Sequence, residues 1–467
     1  MGKQYHVKCY ALDSYGQGLV KFNGSIFAIP RLLPDEKATI ELVYTKGGTF
    51  AKLVQIDKPS PLRITPKCPH FSFCGGCQLM HLSYLEQLKL KQKIVTELFE
   101  DNLKSHQKIQ PDFPGIPHPE VVLAGIIPVL GMKNPSFYRC KIHAALSEDA
   151  KHNIISGFYE EHTHKVLSVD SCLIQDPLAE SIMKSLRRLM KKYHIRSFKE
   201  DTGHGTLRHV LFRKGYHTGE LLMVLVCGTE KIPNEREFTK ELLHLHPEIT
   251  SLVLNYNPKK TSMVLGKQET VLFGTGSIQD KLCDYTFRIS SRSFYQVNPS
   301  QAEQLYKIAI SALNLSKTES VLDAYCGTGT LAILASGLAK RVVGVELNRD
   351  AVKDAIYNAK INHIKNASFF CADAGEYLTK LTAKKESFDA VLLDPPRSGC
   401  TTAFLNALTV ASPKKIVYIS CNPETQKRDI DILAADYFVE GIWAVDMFPE
   451  TGHVESVVLI QRKVTCE

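Results

Sequence analysis

Along the first sixty positions, apolar residues come in short runs broken by Gly, Pro and Asn: HVKCYAL, the turn SYGQG, then LVKFNG, SIFAIP, ATIELVYT and TFAKLVQI. Such runs predict strands joined by tight turns, and five of them suffice for a small closed barrel. The segment KPSPLRITPKCP, with four prolines, ends the barrel in an extended linker. From about Leu82 to Asn102 the apolar residues recur every third or fourth position, which predicts a helix, and a second proline-rich stretch, PDFPGIPHPE, follows it. Up to about Asp280 the runs VLFRKG, GELLMVLVCG, SLVLNYN and TSMVLG predict an antiparallel sheet with some helices. Beyond Ser300 the pattern changes. SVLDAYCGTGTLAILAS, RVVGVELN, DAVKDAIYNAKIN, SFFCADA, FDAVLLDPPR and KIVYISCNP alternate strand and helix, so a mainly parallel sheet with helices on both faces is expected, its ligands at the carboxyl ends of the strands. Three units result: a β-barrel over 1–60, a central α+β domain over 61–290, and an α/β Rossmann-like domain over 291–467.

Composition changes this picture little: 467 residues, 44% hydrophobic and 23% charged, describe a globular chain of about three domains. The amino terminus lacks the basic patch and apolar run of a secretory signal, and no apolar stretch is long enough for a membrane span, so a cytoplasmic protein is expected. In a reducing compartment thirteen cysteines, an odd number, point to metal ligands, catalysis and buried thiols rather than disulfides. The net charge of +8 is modest, but ten Lys or Arg lie between Lys184 and Lys214 against two acids. Such a strip would line RNA phosphates or form a solvated helix face.

Three strand ends of the last domain carry groups suited to a nucleoside bearing a cationic sulfonium. VLDAYCGTGTL ends a strand at Asp323 and passes through Gly327 and Gly329, where backbone can approach a ligand closely. The next strand ends in Glu346, 23 residues on, near the spacing at which an acid meets ribose hydroxyls; the third ends in Asp373, placed for an adenine. A glycine loop alone would equally open a nicotinamide site. The order D-x-x-C-G-x-G lacks the dinucleotide spacing, and with Glu346 and Asp373 it favours S-adenosylmethionine.

The fourth strand delivers Asp394 to a turn stiffened by Pro395 and Pro396; Arg397 stands where amino-group methyltransferases carry an aromatic, which argues against an N6-adenine target. The fifth delivers Cys421, followed by Asn422 and Pro423. A thiol there suits carbon methylation, because a thiolate adding to uracil C6 makes C5 nucleophilic enough to take a methyl group. A base must then remove the C5 proton, and Glu455, favoured over His453, precedes the last apolar strand. Cys326 and Cys371 are expected to point at the ligand pocket or core.

The segments LDAYCGTG, FYQVN at 294–298, DPPRSG, SCNP and HVE closely resemble the RNA 5-methyluridine methyltransferases, which modify 23S ribosomal RNA and the T-loop of transfer RNA. The resemblance runs along most of the chain. It implies Cys421 as nucleophile, Glu455 as base, Asp394 and Gln296 as contacts to both uracil and cofactor, and Gln296, Tyr325, Gly327, Glu346 and Asp373 as S-adenosylmethionine positions. The amino-terminal runs resemble the TRAM domain, an OB-like RNA-binding barrel. YRCK at 138–141 departs from the family, with Cys140 where asparagine is usual.

In CPHFSFCGGCQLMH, Cys68, Cys74 and Cys77 are spaced C-x5-C-x2-C, and Cys172 is the best fourth ligand, with Cys140 and Cys227 weaker. Four thiolates suit zinc or an iron–sulfur cluster equally by spacing. The likeness of C-x5-CGGCQ to the ribosomal branch of the family implies a 4Fe-4S cluster. Because the transfer RNA branch characteristically lacks both cluster and barrel, that likeness also implies ribosomal RNA as substrate, with transfer RNA uridine 54 as the alternative; a monomer is the default expectation. An assembly factor that has lost catalysis and a redox protein are the rivals from other classes.

Overall fold

A two-residue turn shows how the chain opens. Asn23 and Gly24 both take positive φ, 47° and 76°, the signature of the turn whose twist suits a hairpin, and join the strands Gly18–Phe22 and Ser25–Ile29. With Gln4–Leu12, Lys37–Thr45 and Gly48–Lys58 they form an antiparallel sheet, ordered by first residue 25, 18, 4, 37, 48, whose two end strands touch so that it curls. Val7, Cys9, Val20, Ile29, Ile40 and Ala51 fill it. The computed structural model describes residues 3–45, 48–103, 128–161, 163–260 and 263–463; the proline-rich stretch at 111–120 lies outside them.

The central sheet has seven strands, ordered Gln268–Phe273, Ile249–Tyr256, Leu221–Cys227, Leu207–Lys214, Lys141–Glu148, Ile154–Tyr159, Val166–Ser168. One neighbouring pair, Leu221–Cys227 with Ile249–Tyr256, runs parallel, where a wholly antiparallel sheet was expected. The helix Glu235–Leu245 makes the crossover, burying Phe238 and Leu242, and a parallel connection needs such a helix.

The C-terminal sheet is ordered Ala367–Cys371, Arg341–Glu346, Ser320–Asp323, Ala390–Leu393, Lys415–Ser420, Glu455–Arg462, Tyr437–Val445. Its first five strands are parallel; Glu455–Arg462 runs antiparallel to them, and Tyr437–Val445 antiparallel to Glu455–Arg462. Lys415–Ser420 is apolar almost throughout because helices cover both faces. The strand order reverses at Ser320–Asp323, next to Ala390–Leu393, which opens a crevice at the carboxyl ends.

An earlier segment belongs physically to this layer. The helix Tyr84–Leu103 packs on Tyr437–Val445 and on the helix Pro423–Leu433, burying Val95 and Phe99. Lys91 Nζ, fully buried, lies 2.5 Å from the equally buried Asp446 carboxylate, which also accepts from Tyr84 OH at 2.8 Å. One apolar core then runs from Leu211 and Val224 of the central sheet to Leu305, Val417 and Val457. No helix among the described residues is long and apolar enough to cross a membrane.

The basic strip is largely neutralised from within. Arg187, Lys192, Lys199, Arg208 and Lys214 pair with Asp170, Glu241, Glu148, Glu200 and Asp176, and Arg213 is buried.

Candidate active site

Three strand ends converge at one corner of the C-terminal sheet. Ala390–Leu393 delivers Asp394, Lys415–Ser420 delivers Cys421, and the returning strand begins at Glu455; the antiparallel register sets Ser420 against Ser456, so Glu455 starts where Cys421 begins its turn. Glu455 is 4% exposed, and burial, then the neighbouring Asp394, push its carboxyl up to about 8 against the pull of Arg397. Burial raises Asp394 to about 7. The Cys421 thiol, half-buried, is raised by burial and then by Glu455, while the Arg397 guanidinium, hydrogen-bonded to it, draws it down.

Arg397, read in the sequence only as excluding an amino-group target, is the cation of this corner. Its carbonyl accepts from Asn422 Nδ2 at 3.2 Å and Thr425 Oγ1 at 3.1 Å, tying the Asp394 turn to the Cys421 turn. Its Nη2 donates to His453 Nε2 at 3.4 Å, so that ring is the neutral acceptor, and burial followed by Arg397 lowers His453 to about 4. Pro423 opens the following helix, and Asn422 caps it by accepting from Glu424 N.

The loop leading into Glu455 is clamped from four elements. Lys91 Nζ donates to Phe448 O, Tyr138 OH to Pro449 O, Asn298 Nδ2 to Met447 O, and the Gln78 and Leu79 amides to Glu450 O, all between 2.9 and 3.1 Å. Gln87 adds a reciprocal pair with Glu450.

On the cofactor side, Glu346 accepts from Gly327 N at 3.2 Å and Asn348 N at 2.7 Å. Gly327 has φ +51° and open space where a side chain would stand. Asp323 is fully buried; one oxygen accepts from Ala332 N, the other has no protein partner, and burial, then Asp394, raise it to about 8. Asp373 is exposed and caps the helix Ala374–Ala383. Tyr325 stacks edge-on against Phe404 at 5.4 Å, within electrostatic reach of Asp373. Gln296 hydrogen-bonds to Tyr306, which faces Asp394, Glu455 and Asp323. One tyrosine that the sequence did not single out thus stands between Glu455, Asp394 and Asp323. Cys326 is buried as expected, but Cys371 is exposed, because the strand Ala367–Cys371 is the edge of the sheet.

Cys68, Cys74, Cys77 and Cys172 all line one cavity of about 290 Å³ between the amino-terminal loop and the central sheet. Cys140 and Cys227 do not. Cys140 sits instead behind the Gln296 backbone, its Sγ 3.4 Å from that carbonyl. Among the described residues no three His, Cys, Asp or Glu side chains converge as the ligands of a single ion would. Arg139, Lys141 and His143 form another wall of the cavity.

A family model for tRNA (uracil-5-)-methyltransferase matches residues 132–463. A protein described as an uncharacterised RNA methyltransferase from Staphylococcus aureus strain COL is 37% identical over 458 residues, 97% of this chain and 96% of its own. Another so described, from Clostridium acetobutylicum, is 38% identical over 460 residues, 98% and 97% of the two chains. Among solved structures, the tRNA (uracil-54, C5)-methyltransferase of Pyrococcus abyssi, in complex with S-adenosyl-L-homocysteine, is similar with a TM-score of 0.76 at 26% identity, covering 97% of this chain and 99% of that one.

Proposed function

The chain belongs to the tRNA (uracil-5-)-methyltransferase family of RNA methyltransferases, and from that premise we propose that it methylates C5 of a uridine in folded RNA through a covalent adduct on Cys421. The observation that carries this reading is the corner itself: one half-buried thiol beside the buried Glu455 carboxyl, the half-buried Asp394 carboxyl and one guanidinium, at the end of a strand next to the cofactor crevice.

S-adenosylmethionine supplies the methyl group, carried on a cationic sulfur. The orphaned oxygen of Asp323, the open space at Gly327 and the Glu346 carboxylate fit such a ligand, with Tyr325, Asp373 and Gln296 completing its surroundings. Cys421, deprotonated with the help of Arg397, adds to uracil C6, and the electrons displaced to C5 take the methyl group. Glu455 as carboxylate then accepts the C5 proton, and the C6–S bond breaks to return the thiolate. Asp394, raised to about 7, holds a proton near neutrality and so donates to or accepts from the uracil edge. His453, already accepting from Arg397, is the poorer base.

The 23S ribosomal RNA is the substrate we assign on the cysteine pattern, with the amino-terminal sheet over 1–60 as a TRAM-like RNA-binding unit, 61–290 as the cluster-bearing RNA-facing unit and 291–467 as the catalytic one. A 4Fe-4S cluster held by Cys68, Cys74, Cys77 and Cys172 is assigned on the likeness of C-x5-CGGCQ to the ribosomal branch, and the four thiols line a single cavity. Transfer RNA uridine 54 is the second reading. It is favoured by the archaeal tRNA enzyme, which aligns over nearly the whole chain, so an amino-terminal sheet does not separate the two targets. The test is incubation of the enzyme with unmodified 23S and transfer RNA transcripts and S-adenosylmethionine, followed by nucleoside mass spectrometry. The expected product is 5-methyluridine on the ribosomal transcript, with Glu455→Gln accumulating protein bound to RNA; full turnover by Glu455→Gln or by Cys421→Ala refutes the mechanism.

A further inference from the structure

The amino-terminal sheet reaches the reacting thiol. Tyr15, in the turn between its first two strands, lines the same pocket as Arg397, Cys421, Asn422 and His453. The turn is rigid: Asp13 Oδ1 accepts from the Tyr15 and Gln17 amides at 2.9 and 2.8 Å. It is also pressed against the catalytic loop, since a Cβ on Gly452 would stand 2.3 Å from the Tyr15 carbonyl oxygen. On the other side a Cβ on Gly16, at φ +77°, would stand 2.5 Å from Leu79 Cδ2. Yet the Tyr15 side chain leaves the residue 49% exposed, touching His453 edge-on with ring centroids 6.4 Å apart, while Phe448 meets the other side of His453 at 6.1 Å. A fixed backbone thus carries a half-exposed aromatic ring at the mouth of the pocket that holds the nucleophile.

We propose that Tyr15 is a substrate-contacting residue of the methyl-transfer site, its ring stacking on an unstacked RNA base next to the target uridine. This rests on the reading of the chain as an RNA uridine methyltransferase. Extruding a uridine breaks stacking on both of its neighbours, and an exposed aromatic ring restores part of what is lost for bases of any sequence. Asp13, Gly16 and Gly452 would hold that ring in place, so the amino-terminal sheet completes the RNA side of the active site rather than acting only as a distant anchor.

The experiment compares full-length Tyr15→Ala, Tyr15→Phe and Tyr15→Trp with the parent protein on the ribosomal and transfer RNA transcripts. Tyr15→Ala is expected to raise KM for RNA by roughly 5- to 100-fold with kcat changed by less than about three-fold. S-adenosylhomocysteine affinity and the thermal midpoint should stay unchanged, and Phe or Trp should restore KM. Tyr15→Trp adds a direct readout, because Trp443, the single tryptophan of the chain, is 2% exposed. The new indole emission should be quenched on binding oligouridylate. A KM within about two-fold of the parent value, less than one aromatic stack is worth, or unquenched emission at saturation overturns the proposal, as does a loss confined to the thermal midpoint. Should the parent protein methylate neither transcript, the functional reading fails while the quenching measurement still decides the contact.

Discussion

The two thiol centres of this chain stand in different surroundings. Cys421 is a single thiol facing two carboxyls, with one guanidinium to draw its proton off. Cys68, Cys74, Cys77 and Cys172 surround a cavity whose other wall carries Arg139, Lys141 and His143. A nucleophile that must attack and then leave needs a thiolate that is available but not overstabilised, and carboxyl neighbours keep it so. Burial raises Cys74, Cys77 and Cys172, and the Glu450 carboxyl raises Cys77 further, so these thiols become thiolates only when a bound group holds them. On the proposed reading the same side chain serves turnover in one place and retention in the other, and the Gln78 and Leu79 amides, donating to Glu450 O, link the second centre to the loop of the first.

The largest effect that divides them is on chemistry. Cys421→Ala should lower methyl incorporation by roughly 10⁴-fold or more, with S-adenosylhomocysteine binding retained. Cys172→Ala should abolish the broad visible absorption and the iron content of anaerobically purified protein while leaving measurable transfer. Equal loss of transfer in the two variants would erase the distinction. Next comes the joint between the centres: Lys91→Met leaves Asp446 charged and buried, and should cost about 3–5 kcal/mol in denaturant unfolding. Adding Asp446→Asn should restore much of it; a single variant as stable as the parent would show that the pair does not hold the helix Tyr84–Leu103 to the sheet.

Much of this arrangement is legible in sequence. Asp394 and Cys421 each follow an apolar run and Glu455 opens one, and the change of period after Ser300 marks the parallel sheet, because local pattern records which faces are buried. What is hidden depends on distant partners. Nothing local marks Lys91 as buried, because its partner Asp446 lies 355 residues away. Arg208 and Arg213 belong to the strip read as lining phosphates or forming a solvated helix face, but both sit on a strand buried on both faces. Arg397 reads as an exclusion, and only its approach to Cys421 and His453 reveals what it does.

That approach gives a third prediction, smaller in size. In the proposed mechanism Cys421 and Glu455 both act without their protons, and burial pushes Glu455 up to about 8, so kcat/KM should climb with pH through that value. Arg397 lowers both groups. Arg397→Met should therefore move the climb to higher pH and cost about ten-fold at pH 7, recovering in part at pH 9. A uniform loss at every pH would mean that Arg397 acts on RNA instead of on the thiol.

The smallest effect concerns where positive charge is left for RNA. Lys192 lies in the basic strip, but its ammonium is 2.5 Å from the Glu241 carboxylate, to which Tyr193 OH also donates. A cation already matched by a neighbouring anion releases few counterions on meeting a phosphate, so Lys192→Ala should leave the salt dependence of RNA binding unchanged. The pair is exposed, and its loss should shift stability by no more than about 1 kcal/mol. Filter binding across a series of salt concentrations reads the slope directly. A slope shallower by about one unit would restore the strip as a phosphate-binding face and would move part of the RNA contact away from the two thiol centres.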